Sequence, residues 1–301
     1  MAAGKVLVSG ASGVLGWHLC RILDADPTLD VAATCRKSRP QFDRICCSAV
    51  DLARPEDLGL LERSGPYDVI VHTAAVTNPD ECERDPDRAR RVNVEATREL
   101  LSLLSPGGRF IYTSTDLVFD GGKGLYVEED EPNPVNYYGE TKLRAEEIVR
   151  RAPGGVVVRI SKLYSNGSPF HPCFLTWMKE RFDRGDEVPL FSDQYRSPLF
   201  IGDAVRGLRR LFDGSTRWNL YHLGGPERSN RYDFGCRYAE VFGYPVSRIR
   251  AVTMGEVGLV ARGADCSFSS DRFSREFAFA GTVLEEGLRS LRAEESRESG
   301  K

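Results

Sequence analysis

Tyr138 and Lys142 stand four residues apart, directly behind Asn136 and Tyr137. On a helix that spacing puts a phenol and an ammonium on one face, about a turn apart. A free phenol has a pKa of about 10 and is a poor acid near neutrality. A neighbouring positive charge lowers that value and makes the hydroxyl a proton donor to an alkoxide forming at a carbonyl. Tyr137 does not qualify, because its i+4 residue is Thr141. A third polar group must grip the carbonyl oxygen as charge develops on it. The segment Phe110-Ile111-Tyr112-Thr113-Ser114-Thr115-Asp116 brings hydroxyls to the end of a strand-like run, and Thr115 is best placed for that task.

Reduction also needs a hydride donor, and the N-terminus points to one. Val6-Leu7-Val8-Ser9 runs into Gly10-Ala11-Ser12-Gly13-Val14-Leu15-Gly16 and then a helical pattern. One glycine makes the tight turn, one lets backbone amides approach a pyrophosphate, and one lets the helix pack on the strand. Ser12, Val14 and Leu15 belong to the same phosphate-facing turn, at the positive end of the helix dipole. The second strand ends in Cys35-Arg36-Lys37. Two cations there, in place of a carboxylate for the ribose 2′-hydroxyl, favour NADP(H) and leave NAD(H) as the alternative. Asp51-Leu52 follows a third short strand and is placed for adenine. Ala74-Ala75 offers small residues where the backbone passes the cofactor.

Regular elements must carry these groups. Apolar, β-branched runs at 6–9, 31–35, 68–73, 110–114 and 156–160 predict strands buried on both faces of a parallel sheet. Helical patterns at 14–23, 86–104 and 137–151 alternate with them. The fold class is therefore α/β, a Rossmann-type doubly wound parallel sheet with right-handed crossovers. Its ligands bind at the carboxyl ends of the strands. Residues 1–165 form this dinucleotide-binding domain, and 166–291 a smaller substrate lobe interleaved with the sheet. That lobe starts with a loop at 165–172. It continues with helices at 173–184, 203–212 and 232–242, strand and turn at 188–201, and a separator at 221–225. The charged stretch 292–301 is expected to be a flexible tail.

Bulk properties exclude other classes. Forty-one basic against 44 acidic side chains give a net charge of −3, so no basic field attracts nucleic acid or a membrane surface. No apolar run approaches the length of about 20 residues that spans a bilayer, and the first residues lack a signal-peptide pattern. The chain reads as cytoplasmic, with reduced cysteines. Four scattered histidines and eight cysteines without C-x-x-C spacing indicate no metal site. A homodimer stays open.

With those residues in view, the chain resembles the extended short-chain dehydrogenases/reductases, and among them the dTDP-4-dehydrorhamnose reductase-like family. The glycine loop, Ala74-Ala75-Val76-Thr77, Asn93-Val94, Ser114-Thr115-Asp116-Leu117-Val118-Phe119-Asp120-Gly121 and Tyr137-Tyr138-Gly139-Glu140-Thr141-Lys142 carry the resemblance. It continues through Arg159-Ile160-Ser161 and Arg196-Ser197-Pro198 to Asp203. The resemblance implies reduction of a 4-keto nucleotide-sugar, with Thr115, Tyr138 and Lys142 as catalytic triad. Thr77, Asn93, Tyr138 and Lys142 then join the cofactor contacts. The two phosphates of such a substrate call for cations, and Lys162, Arg196 and Arg262 are the candidates. Three positions depart from the family pattern. Lys162 replaces an aromatic residue, Arg262-Gly263 stands for an Arg-Pro element, and Pro79 replaces an aliphatic residue. The chain is also similar to the regulatory β subunit of methionine adenosyltransferase, which shares the fold and keeps the Tyr and Lys. That similarity leaves a non-catalytic NADP-binding subunit open, and a nucleotide-sugar epimerase is a further alternative.

Overall fold

A computed structural model of the chain describes residues 4–212, 216–258 and 260–299. Strands β1 (Lys5–Ser9), β2 (Asp30–Cys35), β3 (Cys46–Ala49), β4 (Tyr67–His72), β5 (Leu104–Thr115) and β6 (Gly155–Ile160) come from the first half. Short strands β7 (Leu163–Tyr164), β8 (Val188–Phe191), β9 (Tyr195–Arg196) and β10 (Leu199–Phe200) follow, then β11 (Leu220–Leu223), β12 (Ser229–Asn230) and β13 (Ile249–Val252). The central sheet runs β11-β6-β5-β4-β1-β2-β3, parallel throughout. Its order reverses between β1 and β4, where a doubly wound sheet opens a crevice for ligands. This is the Rossmann-type architecture expected.

Helices α1 (Val14–Asp24), α2 (Pro55–Glu62), α3 (Pro79–Arg84), α4 (Pro86–Arg90), α5 (Ala96–Leu101) and α6 (Tyr137–Arg151) belong to the first half. Helices α7 (Phe174–Asp183), α8 (Ile201–Arg210), α9 (Arg231–Phe242), α10 (Met254–Val257), α11 (Asp271–Phe277) and α12 (Leu284–Ser299) belong to the second. On one face of the sheet Leu19 of α1, Leu208 of α8 and Phe273 of α11 pack on Val8, Val71 and Val158. On the other, Leu58 of α2, Leu100 of α5 and Val149 of α6 pack on Leu7, Ile70 and Tyr112. Met178, Tyr238 and Leu288 build a separate core for the second lobe.

The structure departs from the sequence reading in three places. The single helix expected at 86–104 is broken by a π turn, Arg91–Glu95, and ends at Leu101. The buried Asn93 amide sits in that turn and bonds to the main chain of Val76, holding the widened helix open. The separator at 221–225 is instead the seventh strand, β11, fully buried beside β6. The charged stretch expected to be a flexible tail continues α12 as far as Ser299, anchored upstream by buried Leu284, Leu288 and Leu291. Residues 1–3 and 300–301 lie outside the described residues. No helix among those described is long and apolar enough to cross a membrane.

Candidate active site

The glycine turn follows β1 and meets the backbone after β4 at the reversal of strand order. Gly10 has φ +84°, and a Cβ there would lie 2.8 Å from the Ala74 nitrogen. A Cβ on Gly16 would lie 2.2 Å from the Gly10 carbonyl oxygen. These two glycines let helix, turn and strand approach closely. Helix α1 starts behind Gly13 with no side-chain cap and no acidic residue in its first turn. Helix geometry leaves the amides of Val14, Leu15 and Gly16 without partners inside the helix. Donors and dipole thus converge where a pyrophosphate fits. The second lobe closes over this turn. Ser168 donates to the Ser12 carbonyl at 3.0 Å, and the His18 ring meets the Gly167 carbonyl at 3.1 Å.

The other expected cofactor residues fall along the same sheet edge. Arg36 and Lys37 are exposed just past β2, and neither forms an ion pair among the described residues. Asp51 follows β3 and accepts from the Ala53 amide through one carboxylate oxygen. Leu52 is buried among Leu58 and Leu61, so it packs. Ala74 and Ala75 are half-buried and Thr77 is exposed. Asn93 differs from the rest. Its Oδ1 accepts from the Val76 amide at 2.8 Å, and its Nδ2 donates to the Val76 carbonyl at 3.2 Å and to Thr141 at 3.0 Å. Both amide protons are used inside the protein, so Asn93 is a strut behind the cofactor edge.

Helix α6 begins at Tyr137 because Asn136 caps it, accepting from the Gly139 amide at 2.9 Å. Tyr138 and Lys142 are both buried on its inner face. Thr115, the last residue of β5, brings its hydroxyl to Tyr138. Burial pushes the Tyr138 phenol above its usual range, the Asp116 carboxylate adds to this, and the Thr115 hydroxyl opposes it. The phenol is therefore neutral and holds its proton. Burial lowers the Lys142 ammonium to about 7, against the pull of Glu146. Its Nζ rests 4.1 Å from the centre of the Tyr112 ring.

Next to Thr115 a second group of residues converges. Asp116 accepts from Thr115 at 3.1 Å and from Ser161 at 3.2 Å, and its Oδ2 lies 3.3 Å from Arg196 Nε. Lys162 follows Ser161. It opens into a cleft shared with Arg196, Arg231 and Gln194 and walled by Phe174 and Phe234. Solvent reaches Lys162 from the cleft, yet protein crowds it. Desolvation, with the charges of Arg231 and Arg196, brings its ammonium down to about 8. Arg231 feels the same crowding and falls to about 10. Two short ladders pin these cations. Strands β7 and β10 fix the chain beside Lys162, and β9 with β12 sets Arg196 opposite Ser229, two residues before Arg231. Three cations facing one carboxylate make a site for an anion. Arg262 lies beside it, close enough for its charge to act on Arg231. It pairs with Asp80 at 2.7 Å and lines an adjoining cavity that shares Gln194.

Sequence reasoning missed Arg231, Gln194, Asp116 and Glu146 as site residues. Asp116 lay inside a quoted motif, adjacent to Thr115, which was a usable signal. Arg231 gave none, since an arginine at a helix start reads as a surface charge.

The architecture is shared with known proteins. The model of the RmlD substrate binding domain matches residues 4–296. Methionine adenosyltransferase 2 subunit beta of Danio rerio is 34% identical over 268 residues, covering 86% of this chain and 80% of the relative. The probable low-salt glycan biosynthesis reductase Agl14 of Haloferax volcanii is 30% identical, covering 95% and 96%. Among solved structures, a hypothetical dTDP-4-dehydrorhamnose reductase from Sulfolobus tokodaii superposes with a TM-score of 0.79 at 28% identity, over 94% of this chain and 98% of that one. The dTDP-4-dehydrorhamnose reductase of Bacillus anthracis, solved with NADP, shares the fold with a TM-score of 0.81 at 23% identity, over 97% and 99%. Matched by that model over nearly its whole length, the chain belongs to the RmlD substrate binding domain family.

Proposed function

We propose that the protein is an NADP(H)-dependent reductase of a 4-keto nucleotide-sugar. The observation that carries this reading is the convergence of Thr115, Tyr138 and Lys142 beside the cation cleft of Lys162, Arg196 and Arg231. NADPH, bound along the glycine turn with its 2′-phosphate toward Arg36 and Lys37, would supply the hydride. NAD(H) would leave that pair without a ligand. Tyr138, neutral before reaction, gives its proton to the carbonyl oxygen. Thr115 orients that oxygen. Lys142 holds a positive charge beneath the phenol and can bond the nicotinamide ribose. The substrate phosphates are held by the cleft cations, whose mutual repulsion an anion relieves. Arg262 contributes from the adjoining cavity. The test is NADPH oxidation followed by absorbance across a panel of dTDP-, GDP- and UDP-linked 4-keto sugars. Turnover of one or more supports the reading, and tight NADPH binding without any turnover removes it.

A second reading is favoured by the 34% identity to the methionine adenosyltransferase 2 subunit. In it the chain binds NADP and serves as a regulatory partner of a methionine adenosyltransferase. Co-purification with that enzyme, in the absence of sugar turnover, would select it.

A further inference from the structure

Tyr138, Lys142 and Glu146 form one row along α6, each a turn from the next. Glu146 is 1% exposed, one turn beyond Lys142. Arg159 grips its carboxylate, with Nε at 3.0 Å from Oε1 and Nη2 at 2.8 Å from Oε2. Ser114 donates to Oε1 at 2.5 Å. Ser114 and Arg159 are register partners on β5 and β6, one step before the pair Thr115 and Ile160. One carboxylate therefore ties α6 to the two strand ends that lead into Thr115 and Lys162.

A buried ion pair is weak evidence for stability, because apolar residues of the same volume often do as well or better. The surroundings of Lys142 suggest a different use for this one. Tyr138 and Glu146 share its face of α6, and around it lie Tyr112 of β5, His72 of β4 and Cys82 of α3. Burial lowers His72 to about 3 and raises the Cys82 thiol to about 12, and it also raises both phenols. All four are uncharged near neutrality. Glu146 supplies the negative charge in this set. Arg159 shares that carboxylate, its Nη1 also reaching His222 at 3.3 Å and its guanidinium lying 5.1 Å from the centre of the Phe119 ring.

We propose that Glu146 is a positioning residue for the Tyr138–Lys142 pair: its charge keeps the Lys142 ammonium protonated, and its bonds to Arg159 and Ser114 hold α6 in register with Thr115. The kinetic part of this proposal rests on the reductase reading. The electrostatic part does not.

The experiment titrates Lys142 in the full chain labelled at lysine Cε with carbon-13, its signal assigned by its loss in Lys142→Met. In Glu146→Gln the midpoint is expected to fall by about one pH unit or more, the scale of a neighbouring opposite charge. Glu146→Gln leaves Arg159 unpaired and can fail to fold. The double variant Glu146→Gln/Arg159→Met removes that stranded charge and should show a smaller fall in the same direction. Glu146→Asp, which keeps the charge, should restore most of it. A midpoint unchanged in whichever neutralised variant folds overturns the proposal, even if its melting temperature drops, since a purely structural brace would not move the titration. With a turned-over substrate in hand, the alkaline limb of activity should shift to lower pH by the same amount. If no substrate is turned over, the reductase reading falls and the titration still decides the role of Glu146.

Discussion

Replacing Asn93 by alanine separates a strut from a ligand. The change removes three hydrogen bonds, two to the main chain of Val76 and one to Thr141. Thr141 keeps its bond to the Tyr138 carbonyl at 2.8 Å, so it is not stranded. The Val76 carbonyl keeps the Cys82 thiol as a donor at 3.4 Å, but its amide is stranded, because Val76 is only 8% exposed. An unpaired buried main-chain group costs about 1–3 kcal/mol. For a chain of this size that lowers the melting temperature by about 2–6 °C, at roughly 2 °C per kcal/mol. Differential scanning calorimetry measures the drop. NADPH titration of the folded variant supplies the second reading. Both Asn93 amide protons are already committed, so affinity should fall by less than about threefold, well short of the 1.5–3 kcal/mol of a lost bond to a charged group. An unchanged melting temperature with a steep loss of affinity would refute the strut and make Asn93 a direct ligand.

Three more outcomes are expected. Arg36→Ala should weaken NADPH binding by about 1.5–3 kcal/mol and barely affect NADH, measured by fluorescence titration; equal losses would remove the 2′-phosphate argument. Tyr138→Phe should leave cofactor affinity nearly intact and cut turnover about a hundredfold or more, and turnover like the parent's would make another group the acid. Lys142 titrates near about 7 in the folded chain, below its unfolded value of about 10.4, so the unfolded state binds more protons between those limits and wild-type stability rises with pH across that window. Lys142→Met lacks that slope. Its stability relative to wild type should be greatest below about pH 7 and decline toward about pH 10, and parallel denaturation curves across that range would contradict the cause assigned here.

Much of the fold was legible because buried parallel strands are unbroken apolar runs. Val6-Leu7-Val8 and Val156-Val157-Val158 could hardly be anything else. The start of α6 was legible from Asn136, a cap residue directly before the helical pattern. Strand β11 was not, since Leu220-Tyr221-His222-Leu223 is short and carries a histidine whose burial between Phe119 and Phe268 no local pattern shows. The π turn was hidden because Asn93 acts on Val76, a contact that no local pattern encodes. In the site, chemistry set by spacing along one element could be read, as with Tyr138 and Lys142. Chemistry assembled across elements could not. Arg231 meets Lys162 only because two-residue ladders fold the second lobe back on the sheet. Arg262 has the right type, but no local pattern shows that Asp80 pairs with it.

Strand β11 has a consequence for how the chain is made. The sheet borrows its last strand from a stretch some sixty residues beyond β6, after helices of the second lobe have already been written. Until residue 223 has left the ribosome, β6 presents an open edge of valines, the kind of surface that pairs with another chain. A protein cut near residue 165 would keep every group of the glycine turn and the Tyr138 pair, and would still expose that edge. Such a fragment should aggregate rather than bind a nucleotide, and the nascent chain needs its second lobe before its first is safe in solution.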